Sequence, residues 1–134
     1  MGSIGEMRGI QPKEATRLRK AGVRTTESLL RHASTKRGRN ALAKATDLDP
    51  GRLLEWVNSA DLMRIKGVGA EYADLLKTVG VDNVKALRRR NPRSLLSAMA
   101  EVNDQKRLVR RLPTESMVAA WVEAAAETEP AVSS

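Results

Sequence analysis

The sequence predicts an all-α protein, and three observations carry that prediction. No stretch alternates with period two over strand length with β-branched enrichment. Apolar side chains recur at helical spacing in several separate segments. The starts of those segments couple a capping oxygen with a proline or an apolar stripe, and two of them close on Gly-Val.

The elements follow in order. Pro12 to Ala21 sets Ala15, Leu18 and Gly22 on one helical spacing, with Pro12 where a first-turn proline is tolerated. Arg24-Thr25-Thr26-Glu27 caps a segment carrying Leu29 and Leu30, and Ser34-Thr35 precedes Ala41-Leu42. Asp49-Pro50 opens a segment with Leu53, Leu54, Trp56 and Val57. Ala70 to Val79 repeats the first pattern with Ala73, Leu76 and Gly80, a glycine suited to the left-handed position after a helix. Asp82-Asn83 opens Val84 to Leu87, and Asn91-Pro92 opens Leu95-Leu96-Met99. Pro113-Thr114-Glu115 starts a last helix with Met117, Val118, Trp121, Val122 and Ala125 on one face. Glu129 to Ser134 carries no stripe, so 128–134 is expected to be a disordered tail.

The chain also repeats itself. An offset of 58 aligns Gly9-Ile10 with Gly67-Val68, Ala15 with Ala73, Leu18 with Leu76, Gly22-Val23 with Gly80-Val81, and Leu29 with Leu87. An offset of 65 aligns Trp56-Val57 with Trp121-Val122. Two related units are expected, at 4–60 and 61–127, sharing one core. Its expected members include Ile10, Leu18, Leu30, Leu54, Trp56, Val68, Leu76, Leu96 and Trp121.

Composition narrows the function. The 134 residues contain no Cys and a single histidine, His32, which removes disulfides, thiolate nucleophiles and histidine-based metal clusters. No apolar run approaches the ~18 residues that span a bilayer, so no membrane role is expected. The N-terminus has neither a basic nor an apolar signal region, and a cytoplasmic protein is the default expectation. Charge is polarised along the chain: residues 1–111 hold 24 basic and 12 acidic side chains, net +12, whereas 112–134 hold four acidic ones and no basic one, net −4. A body of that charge attracts polyanions, and a short acidic end can compete for the same surface.

The segment with most physical content runs from Leu62 to Leu76. Here a helix is expected to stop at about Lys66, Gly67 and Gly69 flank an apolar Val68 that can plug inward, and a new helix begins at once. Two glycines permit a tight turn and bare amides at a helix N-terminus, where the dipole favours an anion.

At residues 62–81 the chain resembles the helix-hairpin-helix family, and residues 7–23 look like a degenerate second copy. Leu54-Glu55-Trp56-Val57-Asn58 ahead of Ala60 to Gly67 is also similar to an uncharacterised family of small free-standing bacterial proteins of this type. The resemblance implies tandem helix-hairpin-helix units packed into one compact helical domain. It further implies sequence-nonspecific contact with a nucleic-acid backbone, DNA favoured, hairpin amides meeting phosphate oxygens beside a basic residue. Carried onto this chain, the amide donors are Gly67, Val68, Gly69 and Ala70, with Lys66 adding charge and Lys13 its counterpart in the first copy. Glu71 follows Ala70, however, while in the first copy Gln11 replaces the second glycine and Pro12 has no N–H. The second reading is therefore a scaffold that docks a protein partner.

Other basic clusters bear on the same question. Arg88, Arg89 and Arg90 with Arg93 are candidate phosphate contacts, and so are Lys36, Arg37, Arg39 and Lys44, and Lys106-Arg107 with Arg110-Arg111. Cations at helix C-termini also complement the dipole, which leaves both roles open. Tyr72 is the one aromatic expected at the surface, whereas Trp56 and Trp121 are expected in the core. The acidic pairs Asp47 and Asp49, Glu71 and Asp74, and Glu101 and Asp104 have no histidine or second acidic cluster beside them, so a non-enzyme without metal or cofactor is expected.

Overall fold

The computed structural model describes residues 2–133. A 3-10 turn at Ile4–Glu6 is followed by α1 (Pro12–Lys20), α2 (Thr26–Ala33), α3 (Lys36–Thr46), α4 (Pro50–Leu62), α5 (Ala70–Thr78), α6 (Val84–Leu87), α7 (Pro92–Lys106) and α8 (Glu115–Glu127). There is no strand among the described residues, only an isolated bridge between Ser3 and Thr25. The chain forms two compact units, one of residues 1–61 with 131–134 and the other of residues 62–130.

Helix starts are fixed by side chains adjacent in sequence. The hydroxyls of Thr25, Thr35 and Thr114 accept from the amides of Ser28, Gly38 and Met117 at 3.1, 3.0 and 3.1 Å. The side-chain oxygens of Asn83 and Asn91 accept from Ala86 and Ser94 at 3.0 and 3.1 Å. Each such cap stabilises its helix by roughly 1 kcal/mol. The ends of α1 and α5 are built alike. Val23 N–H donates to Leu18 at 2.9 Å and Gly22 N–H to Arg19 at 3.0 Å; Val81 donates to Leu76 at 2.9 Å and Gly80 to Lys77 at 3.0 Å. Gly22 and Gly80 have φ of +88° and +91°, the left-handed turn this hydrogen-bond pair requires.

In the first unit α2 packs on α3, and Ile4, Leu18, Val23, Leu29, Leu53, Trp56 and Val57 are buried. In the second, α8 packs on α6 and α7 while α5 packs on α7, around Leu62, Leu75, Leu76, Leu87, Leu95, Met99, Val118 and Trp121. The expected core needs correction at four positions: Ile10, Leu30, Leu54 and Leu96 are half-buried. On α4 the inward stripe is Leu53, Trp56, Val57 and Ala60, a spacing of i, i+3, i+4 and i+7, which turns Leu54 to the margin.

A further correction concerns the end of α4. It ends at Leu62, not near Lys66, because the chain there changes to three-residue turns: Ile65 N–H donates to Leu62 and Val68 N–H to Ile65, both at 3.0 Å. No helix is long and apolar enough to cross a membrane.

Candidate functional site

The turn between α4 and α5 is shaped by one residue. Gly67 has φ +91°, and a Cβ built there would lie 3.0 Å from Nε1 of Trp121. The left-handed backbone favours glycine, and the indole would have to give by a few tenths of an ångström to admit a side chain. Val68 is buried and anchors the turn inward, while Lys66, Gly67 and Gly69 are exposed and Ala70 is half-buried. Gly69 is the N-cap residue of α5 and supplies no side chain to cap it. The first helical bond is Ala73 N–H to Gly69 carbonyl at 2.9 Å, so the Ala70 amide lies ahead of it. Lys66, Gly67, Gly69 and Ala70 are thus brought together at one accessible turn. Val68 differs from the others, because its N–H is already bonded to Ile65. Exposed Glu71 places a carboxylate in the first turn of α5.

The corresponding turn of the first unit is closed by side chains. Gly9 carbonyl accepts from Trp56 Nε1 at 3.3 Å and from Arg52 Nη2 at 3.0 Å. Arg52 also donates to Glu14 through Nε at 2.8 Å and Nη2 at 2.7 Å, and its guanidinium lies 5.1 Å from the Trp56 ring centroid. Glu14 in turn accepts the Gln11 amide at 2.9 Å. The hydrogen bond to Arg52 holds the Glu14 carboxyl below its usual range, and the same bond raises the Arg52 pKa. With the Gln11 amide taken and Pro12 lacking one, little remains there for an anion. Lys13 is exposed beside it.

In the second unit the counterparts of Glu14 and Arg52, at offsets of 58 and 65, are Tyr72 and Met117. No ion pair can form from those two side chains. Tyr72 packs on Trp121 with ring centroids 5.2 Å apart, and its hydroxyl donates to Arg111 carbonyl at 2.9 Å. It is half-buried and committed to packing, not the exposed aromatic platform expected. Met117 remains 37% exposed.

The three consecutive arginines divide. Arg88 donates to Ala125 carbonyl from Nε at 3.2 Å and Nη2 at 3.0 Å, and to Thr128 carbonyl at 2.6 Å, closing the end of α8. Arg90 donates to Val79 carbonyl at 3.4 Å, and Arg89 is exposed. Arg39, grouped with the surface cations in the sequence reading, is 3% exposed. It donates to Ala33 and Ser34 carbonyls, each at 3.0 Å, at the end of α2. Burial lowers its pKa. Its helical spacing to Leu42, Ala43 and Thr46, all buried, was the available sign of that position. Arg64, overlooked inside the apolar pattern of 62–65, donates to Glu129 carbonyl at 3.0 Å.

No group of three or more His, Cys, Asp or Glu side chains that could hold a metal ion occurs among the described residues. Comparison with curated proteins and with solved structures returns no match. A family model does match, over residues 8–128, and by that span the chain belongs to the family described as Domain of unknown function (DUF4332).

Proposed function

We propose that the chain is a tandem helix-hairpin-helix protein that binds nucleic-acid backbone, DNA favoured, without sequence preference and without catalysis. The observation that carries this reading is the 66–70 turn. There an exposed lysine, two exposed glycines and a helix start with no side-chain cap share one accessible place. Such a turn offers main-chain donors and the positive end of a dipole, which suit a phosphate oxygen and read no base. Exposed Arg89 and Lys13 add sequence-independent charge.

Fluorescence anisotropy with duplex and single-stranded DNA, at low and physiological salt, tests it. Binding should weaken as salt rises, with a slope of about −0.9 per neutralised phosphate on duplex. Lys66→Glu should weaken it several-fold. Absence of binding at low salt, or binding indifferent to salt, overturns the reading.

The second reading is a protein-docking scaffold. It is favoured by the Val68 amide being spent on Ile65 and by Glu71 in the first turn of α5. Capture from lysate with and without nuclease separates the two: partners that survive nuclease support docking, and partners lost with it support a nucleic-acid tether.

A further inference from the structure

The loop that joins α7 to α8 is pinned to the second unit by its main chain. Arg107 N–H donates to Asn103 carbonyl at 2.8 Å as α7 closes in a left-handed turn of φ +49°. The Asn103 side chain takes both main-chain groups of Val109, donating to its carbonyl at 3.1 Å and accepting its N–H at 2.9 Å, and Val109 itself is buried. Farther on, the Tyr72 hydroxyl donates to Arg111 carbonyl at 2.9 Å. Fixed in this way, the stretch presents Lys106, Arg107, Arg110 and Arg111, all exposed, with no carboxylate between them. Among the described residues no hydrogen bond or ion pair engages any of these four side chains. The guanidinium groups of Arg88 and Arg39, by contrast, are spent on carbonyls. A charge run that only solvates a surface has no need of an ordered main chain, whereas a phosphate contact gains from one, because less freedom is lost on binding.

Tyr72 fixes where this loop lies. It stands in the first turn of α5, two residues after Ala70, and its ring packs on Trp121 with centroids 5.2 Å apart. Trp121 Nε1 in turn lies 3.0 Å from the place of a Cβ at Gly67. One aromatic pair therefore separates the 66–70 turn from the Arg110-Arg111 main chain. Five exposed cations, Lys66 and the four of the loop, then accompany the carboxylate of Glu71. The carboxylates nearest the loop in sequence, Asp104 and Glu115, flank it, and Glu115 accepts from Arg93 at 3.4 Å.

We propose that the 106–111 loop is a second phosphate-binding element, in which Arg110 and Arg111 contact the nucleic-acid backbone beside the 66–70 turn and Tyr72 is their positioning residue. The proposal rests on the nucleic-acid reading above and extends its site. A guanidinium pairs bidentately with phosphate oxygens, and such contacts read no base.

The test uses the full chain and a short DNA duplex of mixed sequence. Arg110→Ala with Arg111→Ala should weaken binding several-fold at low salt and make the salt slope shallower by about 1.8, at about 0.9 per phosphate. Lys20→Ala with Arg31→Ala removes the same charge from exposed positions of the first unit and should weaken binding less. Tyr72→Phe keeps the ring and every charge, and should still weaken binding, by less than the arginine pair does. In the unmodified chain the amide resonances of Gly67, Gly69 and Ala70 and those of Arg110 and Arg111 should shift with one midpoint as duplex is added. Turn amides that shift while the loop amides stay, or equal losses in the two double variants, overturn the loop's role and leave the turn reading standing. Loop amides that shift alone overturn the joint surface and the turn reading with it. Unchanged affinity in Tyr72→Phe overturns its positioning role. Absence of binding by the unmodified chain at low salt overturns both the loop and the nucleic-acid reading.

Discussion

Arg52 and Glu14, 38 positions apart, are joined by two parallel hydrogen bonds of 2.8 and 2.7 Å that close the turn at Gly9. Because the hydrogen bond to Arg52 lowers the Glu14 pKa in the folded chain, the pair stabilises the fold above the carboxylate's unfolded value. That stability is lost as pH falls through the lower, folded one. Arg52 keeps 40% of its side chain exposed, so solvent screening limits the contribution to about 0.5–1 kcal/mol. Glu14→Gln should therefore lower stability at pH 7 by about that amount and by less at pH 3. Urea unfolding at the two pH values checks this, and an equal loss at both would place the effect in packing.

Gly67 and Gly80 share a φ of +91° but differ in surroundings. A Cβ at Gly80 meets nothing within 4 Å, whereas one at Gly67 lies 3.0 Å from Trp121 Nε1. Gly80→Ala should cost roughly 1–2 kcal/mol, the left-handed backbone penalty alone. Gly67→Ala should cost at least about 1 kcal/mol more, because the indole must shift in a packed core. Thermal unfolding of the two variants compares them directly. Equal losses would mean that Trp121 moves freely.

What the sequence made legible was local. Caps such as Thr25, Asn83 and Asn91 bond to amides three residues away, and the Gly22 and Gly80 ends close on carbonyls three and five residues back, so short windows contain the whole interaction. The turn at 66–70 was legible for the same reason. Arg52–Glu14 and Arg64–Glu129 were not, because their partners lie 38 and 65 positions away and a charge run carries no sign of which member turns inward. Leu54 was expected in the core and lies at its margin, while Leu53 is buried, because adjacent leucines fit almost the same stripe.

Arg88 and Arg89 stand side by side with different duties. Arg88 gives hydrogen bonds to two carbonyls at the end of α8, while Arg89 is exposed. Arg88→Ala should lower stability by about 1.5–3 kcal/mol, the range for hydrogen bonds from a charged donor. Arg89→Ala should stay within about 0.5 kcal/mol of the parent chain and reduce the salt slope of duplex binding by about 0.9 if it meets a phosphate. Denaturant titrations with salt-dependent anisotropy read both quantities. A destabilised Arg89 variant would overturn this assignment.

Arg39 is a buried cation whose acceptors are peptide carbonyls at the end of α2, where the helix dipole is negative. Its planar fork reaches Ala33 and Ser34 from one nitrogen and Ser133 from another, a geometry that a single ammonium cannot copy. Arg39→Met should cost about 1–3 kcal/mol, since it takes the Arg39 donor from the Ala33 carbonyl and leaves the Ser34 carbonyl with the Ser133 N–H. Arg39→Lys should fall between the parent and the methionine variant. Because none of the acceptors titrates, the loss should be the same at pH 4 and pH 7, in contrast with Glu14→Gln. Urea titrations at both values measure it, and a methionine variant as stable as the parent would show that water reaches those carbonyls unaided.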